Sequence, residues 1–224
     1  MEERYLRNIP AISQADMDIL KTKRVLVLGC GGLGGYVIEF LLRLGIGSIT
    51  AVDGDVFTPS NLNRQLLCDE SNIGTPKVFA AASRAEKVNS QVRFTPVYEY
   101  FTEKNAARLL EGADLVIDAL DNVPARLLME DAAEAAGLTI VHGAIGSSDV
   151  QAMLIFPGER LLHRLYGDGT QSFEKTVLPM TPAFCAAIQV TAAAEFLCKR
   201  STGLEGALLT ASLRPASADI IPLR

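Results

Sequence analysis

The feature that most constrains this chain is a glycine-broken stretch at residues 23–55. A short apolar run, Val25-Leu26-Val27-Leu28, gives way to Gly29-Cys30-Gly31-Gly32-Leu33-Gly34. Leu33, Val37, Phe40, Leu41 and Leu44 then recur on one helical face, and a second apolar run at residues 49–52 ends on Asp53. Strand, tight turn, helix and strand in this order make a βαβ unit with a dinucleotide-type fingerprint. The first glycine permits the turn, the second lets a phosphate approach the backbone, and the third lets helix and strand pack closely. Backbone N–H groups at the helix start face the phosphate charge. Asp53 stands where a carboxylate accepts hydrogen bonds from ribose hydroxyls.

The remaining sequence repeats the alternation. A helical arm is expected over residues 1–22, with Ile9, Ile12, Ile19 and Leu20 as its apolar spacing. A polar segment at residues 57–74 precedes a helix at 76–89 that has Pro76 in its first turn. Residues 91–98 alternate as a strand does, and Thr102 is placed to cap a helix ending near Leu110. Residues 115–120 form an apolar strand ending in Asp121-Asn122, followed by a helix at 124–136 and a strand at 138–141. Strands alternating with helices imply a Rossmann-like, doubly wound, mostly parallel sheet. The rhythm changes after Gly146. A strand at 150–156 leads into an aperiodic connection at 157–182, a length that points to function. A helix at 183–199 and two short strands around Arg214-Pro215 form a C-terminal antiparallel extension. No repeat or linker divides residues 1–224, so a single domain is expected.

Composition narrows the function classes. A net charge of −5 opposes a broad nucleic-acid interface. The first ten residues are charged and lack the apolar core of a signal peptide. The longest apolar stretch, residues 183–198, is interrupted by Gln189, Thr191 and Glu195 and reads as a buried helix rather than a membrane span. A cytoplasmic protein is expected. Cys30, Cys68, Cys185 and Cys198 contain no CxxC pair, so neither a zinc site nor a disulfide framework is expected.

In an open α/β sheet the ligand lies at the carboxyl ends of the strands. Asp53, Asp55, Asn61, Arg64, Gln65, Lys77, Asp121 and Asn122 all fall at or just after such ends. Each has an ordinary alternative as a cap, turn or solvated charge. Together they place two cations and several carboxylates beside a phosphate loop. His142 and His163 have no evident partners in the sequence and are assigned no role.

With these residues in place the chain resembles the HesA/MoeB/ThiF family, relatives of ubiquitin-activating enzymes. The resemblance rests on Arg4-Tyr5-Leu6-Arg7-Asn8, the glycine turn at 29–34, Val52-Asp53-Gly54-Asp55, Ser60-Asn61-Leu62-Asn63-Arg64-Gln65, Gly74-Thr75-Pro76-Lys77 and Asp118-Ala119-Leu120-Asp121-Asn122 with Arg126 after it. It covers about the first three quarters of the chain, and the C-terminal Ala218-Asp219-Ile220-Ile221-Pro222-Leu223-Arg224 resembles the closing strand of such domains.

The resemblance implies an adenylyltransferase that uses ATP and Mg²⁺ to activate the C-terminal Gly-Gly carboxylate of a ubiquitin-like sulfur-carrier protein, with thiamine and molybdenum-cofactor synthesis as the implied routes. It implies catalytic roles for Arg7, Arg64, Lys77 and Asp121. Arg64 and Lys77 would meet the phosphates, Arg7 would reach into the partner subunit of a homodimer, and Asp121 would hold Mg²⁺. Gly29, Gly31, Gly32, Gly34, Asp53, Asp55, Ser60, Asn61, Gln65 and Asn122 would complete the nucleotide site, and Arg126 would either orient the carrier tail or, the preferred reading, brace the loop. The chain departs from many relatives in lacking two zinc-binding CxxC pairs and a cysteine in the crossover segment. Cys185 lies just beyond that segment inside an apolar run and reads as core. Three alternatives stand beside this reading: an ATP-dependent dehydratase acting on a threonylcarbamoyl-adenosine of tRNA, a nicotinamide-dependent oxidoreductase, and a non-catalytic scaffold. The oxidoreductase leaves Arg64 and Lys77 without a task.

Overall fold

The computed structural model describes residues 2–167 and 176–223. Eight strands form one sheet in the order β3-β2-β1-β4-β5-β6-β7-β8. β1 (Arg24–Leu28), β2 (Ser48–Val52), β3 (Arg93–Val97), β4 (Leu115–Asp118) and β5 (Ile140–Gly146) are parallel neighbours. β6 (Asp149–Ile155), β7 (Ala207–Leu213) and β8 (Ala216–Pro222) continue the sheet by antiparallel pairing. The fold is therefore mixed α/β, with a parallel half and an antiparallel C-terminal half.

The alternation of side chains along each strand divides the core in two. Val25, Val27, Leu115 and Ile117 face one layer, built with α2 (Gly32–Leu44), α3 (Lys77–Asn89) and α7 (Thr181–Leu197). Leu26, Leu28 and Val116 face the other, built with α4 (Glu103–Leu110), α5 (Val123–Ala135) and α6 (Leu161–Tyr166). Every β1 residue from Val25 to Leu28 is buried, as a strand covered on both faces requires. At the far edge, all seven residues of β8 are exposed.

The turn between β1 and α2 depends on two glycines. Gly29 takes φ +100°, and a side chain there would meet the Ala119 carbonyl. A Cβ on Gly34 would lie 1.8 Å from the Gly29 carbonyl oxygen, so the helix rests on the turn only because that atom is missing.

Several expectations change. The N-terminal arm is a 3₁₀ turn at Glu3–Asn8 and a separate α1 at Gln14–Leu20, because Pro10 donates no N–H with which to join them. Pro76 is the N-cap of α3 rather than a first-turn residue, because Lys77 is the first residue with helical geometry. β5 runs on to Gly146 because β6 pairs along its whole length. The crossover at 157–182 is not structureless in its described part: α6 lies inside it and α7 opens at Thr181. Residues 168–175 of that segment lie outside the described residues. Among the described residues no helix is long and apolar enough to cross a membrane.

Candidate active site

A cavity of about 1020 Å³ opens along the carboxyl ends of the parallel strands and extends over β5 to β8. One end is bounded by Gly29, Gly31, Gly32, Asp53, Asp55, Arg64, Gln65 and Lys77. The other is walled by Val150, Gln151, Tyr166, Thr210, Ser212 and Asp219, with Asp121 and Asn122 also lining the cavity. A pocket for one small ligand spans roughly 300–1,000 Å³. This cavity has room for a nucleotide and the end of a second substrate.

The glycine end is built as an anion site. The first N–H groups of α2 have no partner inside the helix. Arg64 and Gln65 pass over them: a Cβ on Gly32 would lie 3.6 Å from Arg64 Cγ and 3.6 Å from Pro182 Cγ, and one on Gly31 would lie 3.6 Å from Gln65 Nε2. The Arg64 guanidinium is steadied by the Ser60 carbonyl at 3.2 Å and by Asn63 Oδ1 at 2.8 Å. Lys77, buried at the head of α3, donates from Nζ to Asp55 Oδ2 at 2.9 Å. Tyr100 donates to the second Asp55 oxygen at 2.8 Å.

Asp53 ties the two strand ends together. Its Oδ2 accepts from the Cys30 N–H at 2.7 Å and its Oδ1 from the Asp55 N–H at 2.8 Å. Burial pushes its carboxyl above the usual range, while the Lys77 charge and these two N–H donors pull the other way. Gln65 is buried, and its Oε1 has no hydrogen-bond partner among the described residues. A glycine cradle, two cations and an unsatisfied buried acceptor fit a nucleoside triphosphate, whose hydroxyl and amino donors would satisfy Gln65. For a divalent cation, Asp121 is a carboxylate that lines the cavity between the two ends. No cluster of three or more metal-type side chains occurs among the described residues, so a magnesium ion would enter with its phosphates.

Four expected site residues lie elsewhere. Gly34 packs against the turn and does not line the cavity. The Ser60 hydroxyl lies 3.0 Å from that of Thr58, because the 3₁₀ turn at Pro59–Asn61 directs it along the surface. Asn61 Oδ1 accepts from the Thr58 N–H at 3.0 Å, and Asn61 borders a smaller adjoining pocket with Tyr98 and Tyr100. Arg7 is exposed in the N-terminal 3₁₀ turn and is not part of this chain's cavity. Asn122 has a double place: it lines the cavity and caps α5, accepting from the Ala125 N–H at 2.9 Å.

The floor holds a network that the sequence does not announce. Asp118 and His142 are fully buried, with His142 Nδ1 2.6 Å from Asp118 Oδ2. Arg126 Nε lies 3.3 Å from the same oxygen, an ion pair rather than an aligned hydrogen bond. Its Nη2 donates to the Leu120 carbonyl at 2.6 Å, so Arg126 braces the loop that carries Asp121. His142 therefore has partners after all, although from 24 residues away. His163 pairs with Glu130 at 2.6 Å, outside the cavity. Cys185 is core: it is fully buried, and burial pushes its thiol up to about 12.

The comparisons with known proteins bear on the family and the fold. The ThiF family profile matches residues 4–223. The chain is 33% identical to the SAMP-activating enzyme E1 of Haloferax volcanii, over 99% of this chain and 85% of that protein. It is 38% identical to the sulfur carrier protein adenylyltransferase of Thermus thermophilus, over 66% of this chain and 56% of that one. The crystal structure of E. coli MccB with ATP has the same fold, with a TM-score of 0.85 at 20% identity, covering 100% of this chain and 72% of that chain. A family profile spanning almost every residue, with a relative one third identical along the same length, leaves one assignment: the chain belongs to the ThiF family.

Proposed function

We propose that this chain is an ATP-dependent adenylyltransferase that activates the C-terminal Gly-Gly carboxylate of a ubiquitin-like sulfur-carrier protein. The observation that carries the reading is the division of one cavity into a cationic glycine end and a second end, over β5 to β8, that the nucleotide does not need. The names of the Haloferax and Thermus relatives point to the same activity.

The chemistry suits these residues. A carboxylate is already ionised at neutral pH, so no general base is needed. Its oxygen attacks the α-phosphorus, a new O–P bond forms, and the bond to the β-phosphate oxygen breaks with the electron pair leaving on pyrophosphate. The barrier is the approach of one anion to another, and positive charge placed in advance lowers it. Arg64 and Lys77 supply that charge. Asp53 and Gln65 receive nucleotide donors, Asp121 would hold a Mg²⁺ ion that adds positive charge at the phosphates, and Asn122 keeps that loop in register through its cap. Arg7, exposed and outside its own cavity, acts in the site of a second copy, so the working form is a homodimer.

ATP–pyrophosphate exchange tests the reading. Exchange should require a Gly-Gly-ended carrier and fall at least a hundredfold in Arg64→Ala. Gel-shift binding to tRNA with no exchange on any carrier would favour the dehydratase instead, and tight NADH binding without ATP binding would favour the oxidoreductase.

A further inference from the structure

The carbonyl of one side-chain amide in the second half of the cavity has its orientation dictated from behind. Asp118 Oδ2 lies 3.3 Å from the Arg126 guanidinium and serves as the acceptor of the pair, so the His142 nitrogen 2.6 Å away carries the proton. His142 Nε2 is then left as a lone-pair acceptor. Gln151 Nε2 lies 3.1 Å from it and must present an N–H, because the opposite orientation would set oxygen against a lone pair. The other N–H of the same amide goes to the Tyr166 hydroxyl. Both amide hydrogens are spent on the wall, and Gln151 Oε1 has no partner among the described residues. Gln151 lines the cavity on β6, beside Val150 and across from Thr210 and Ser212 on β7. This is the end away from the glycine cradle, where the proposed activity places the incoming carboxylate.

We propose that Gln151 Oε1 is a fixed acceptor for a main-chain N–H of the polypeptide tail, and that His142 and Asp118 are positioning residues that hold it in that orientation. The inference rests on the adenylyltransferase reading and adds a specificity: the site recognises a peptide carboxylate rather than a small acid without an adjacent N–H. A Gly-Gly tail suits such a contact, because it has no side chains to be read and only its amides to offer.

The test is pyrophosphate exchange with a Gly-Gly-ended sulfur-carrier protein whose last two amide N–H groups are replaced, one at a time, by ester oxygen through ligation of a synthetic tail. A single neutral hydrogen bond corresponds to about fivefold to tenfold in affinity, and with the unmutated enzyme one of the two ester tails should show a rise in KM of that size. Gln151→Leu should raise KM for the amide tail by a similar factor and make amide and ester tails equivalent. His142→Leu, which removes the clamp and leaves Gln151, should raise KM for the tail in the same way. KM for ATP should not change in either variant, whereas a merely structural loss would move both. An unmutated enzyme indifferent to both esters would overturn the inference and leave the proposed activity standing. Exchange with no Gly-Gly carrier at all would overturn both. The ester comparison needs no variant to fold.

Discussion

Lys77 Nζ and Asp55 Oδ2 are 2.9 Å apart, but the two side chains face different media: the lysine is 9% exposed and the aspartate 50%. The ammonium is thus held at the cavity wall by a carboxylate that water can reach. An arriving phosphate can take over as the partner without leaving Asp55 buried and unpaired. Lys77→Met keeps the buried stem and removes the charge. It should cost a hundredfold or more in pyrophosphate exchange while shifting the melting temperature little, because the half-exposed partner is easily hydrated. Exchange within threefold of the parent enzyme would remove Lys77 from the phosphate site.

Two glycines of the same turn should separate stability from binding. Gly34→Ala sets a methyl carbon 1.8 Å from the Gly29 carbonyl oxygen, and neither backbone can give way. About 3 kcal/mol or more of stability should be lost, read as a lowered urea midpoint. Gly32→Ala meets nothing closer than 3.6 Å. It should fold with nearly the parent's midpoint but place a methyl group in the nucleotide half, raising KM for ATP. The reverse pattern would show that the glycine turn has been assigned the wrong way round.

The same contrast marks how much of the site is legible in the amino-acid sequence. Gly29, Gly34, Asp53 and the apolar runs around them act over a few residues, so spacing alone exposes them. Arg64 and Lys77 are legible because a charge just after a strand end has few reasons to be there in numbers. Ser60 and Asn61 are harder to place from sequence, because a 3₁₀ turn of three residues sets the Asn61 side chain in an adjoining pocket that shares Asp55 and Lys77 and leaves the Ser60 carbonyl, not its hydroxyl, on Arg64. The floor network is out of reach for a different reason. Asp118, Arg126, His142, Gln151 and Tyr166 come from five separate elements, and a periodicity confined to one element cannot join them. Gln151 itself carries no local signal, since a polar residue in an antiparallel strand is ordinarily a solvated one.

The thiol of Cys185 should be chemically silent. At pH 8 a thiol held near 12 is ionised in only about one molecule in ten thousand, and the sulfur is fully buried between the Ala144 and Gln151 carbonyls. Burial also raises the Cys30, Cys68 and Cys198 thiols. Iodoacetamide should leave Cys185 unlabelled in the folded enzyme and label it in urea. Cys185→Ala should retain pyrophosphate exchange and lose about 1 kcal/mol of stability. A carrier adduct on a non-reducing gel that disappears with dithiothreitol would contradict this and restore a covalent step.

His142 should give the protein a measurable weakness to mild acid. It faces Asp118, Arg126, Glu130 and Tyr166, and burial lowers its pKa below the ordinary 6.5 despite the Asp118 hydrogen bond that opposes the shift. The folded state therefore keeps the ring neutral where the unfolded chain has begun to protonate it. Above about pH 6.5 the two states bind the same number of protons, and the residue contributes no slope. Below that value the unfolded state takes up a proton that the folded state refuses, so stability falls as pH falls, by up to about 1.4 kcal/mol per pH unit, until the folded-state pKa is reached. The carboxylates with lowered pKa, Glu2, Asp16, Glu39, Asp69 and Glu205, titrate below their ordinary 3.8 to 4.5, and the raised Asp53 carboxyl is common to the parent and a His142 variant, so it drops out of their difference. His142→Gln stays neutral throughout. The parent's advantage in melting temperature over this variant should shrink steadily from about pH 7 to pH 5. Parallel curves across that interval would mean that the folded protein accepts the proton, and an acceptor at Nε2 for the Gln151 amide would then be lost in mild acid.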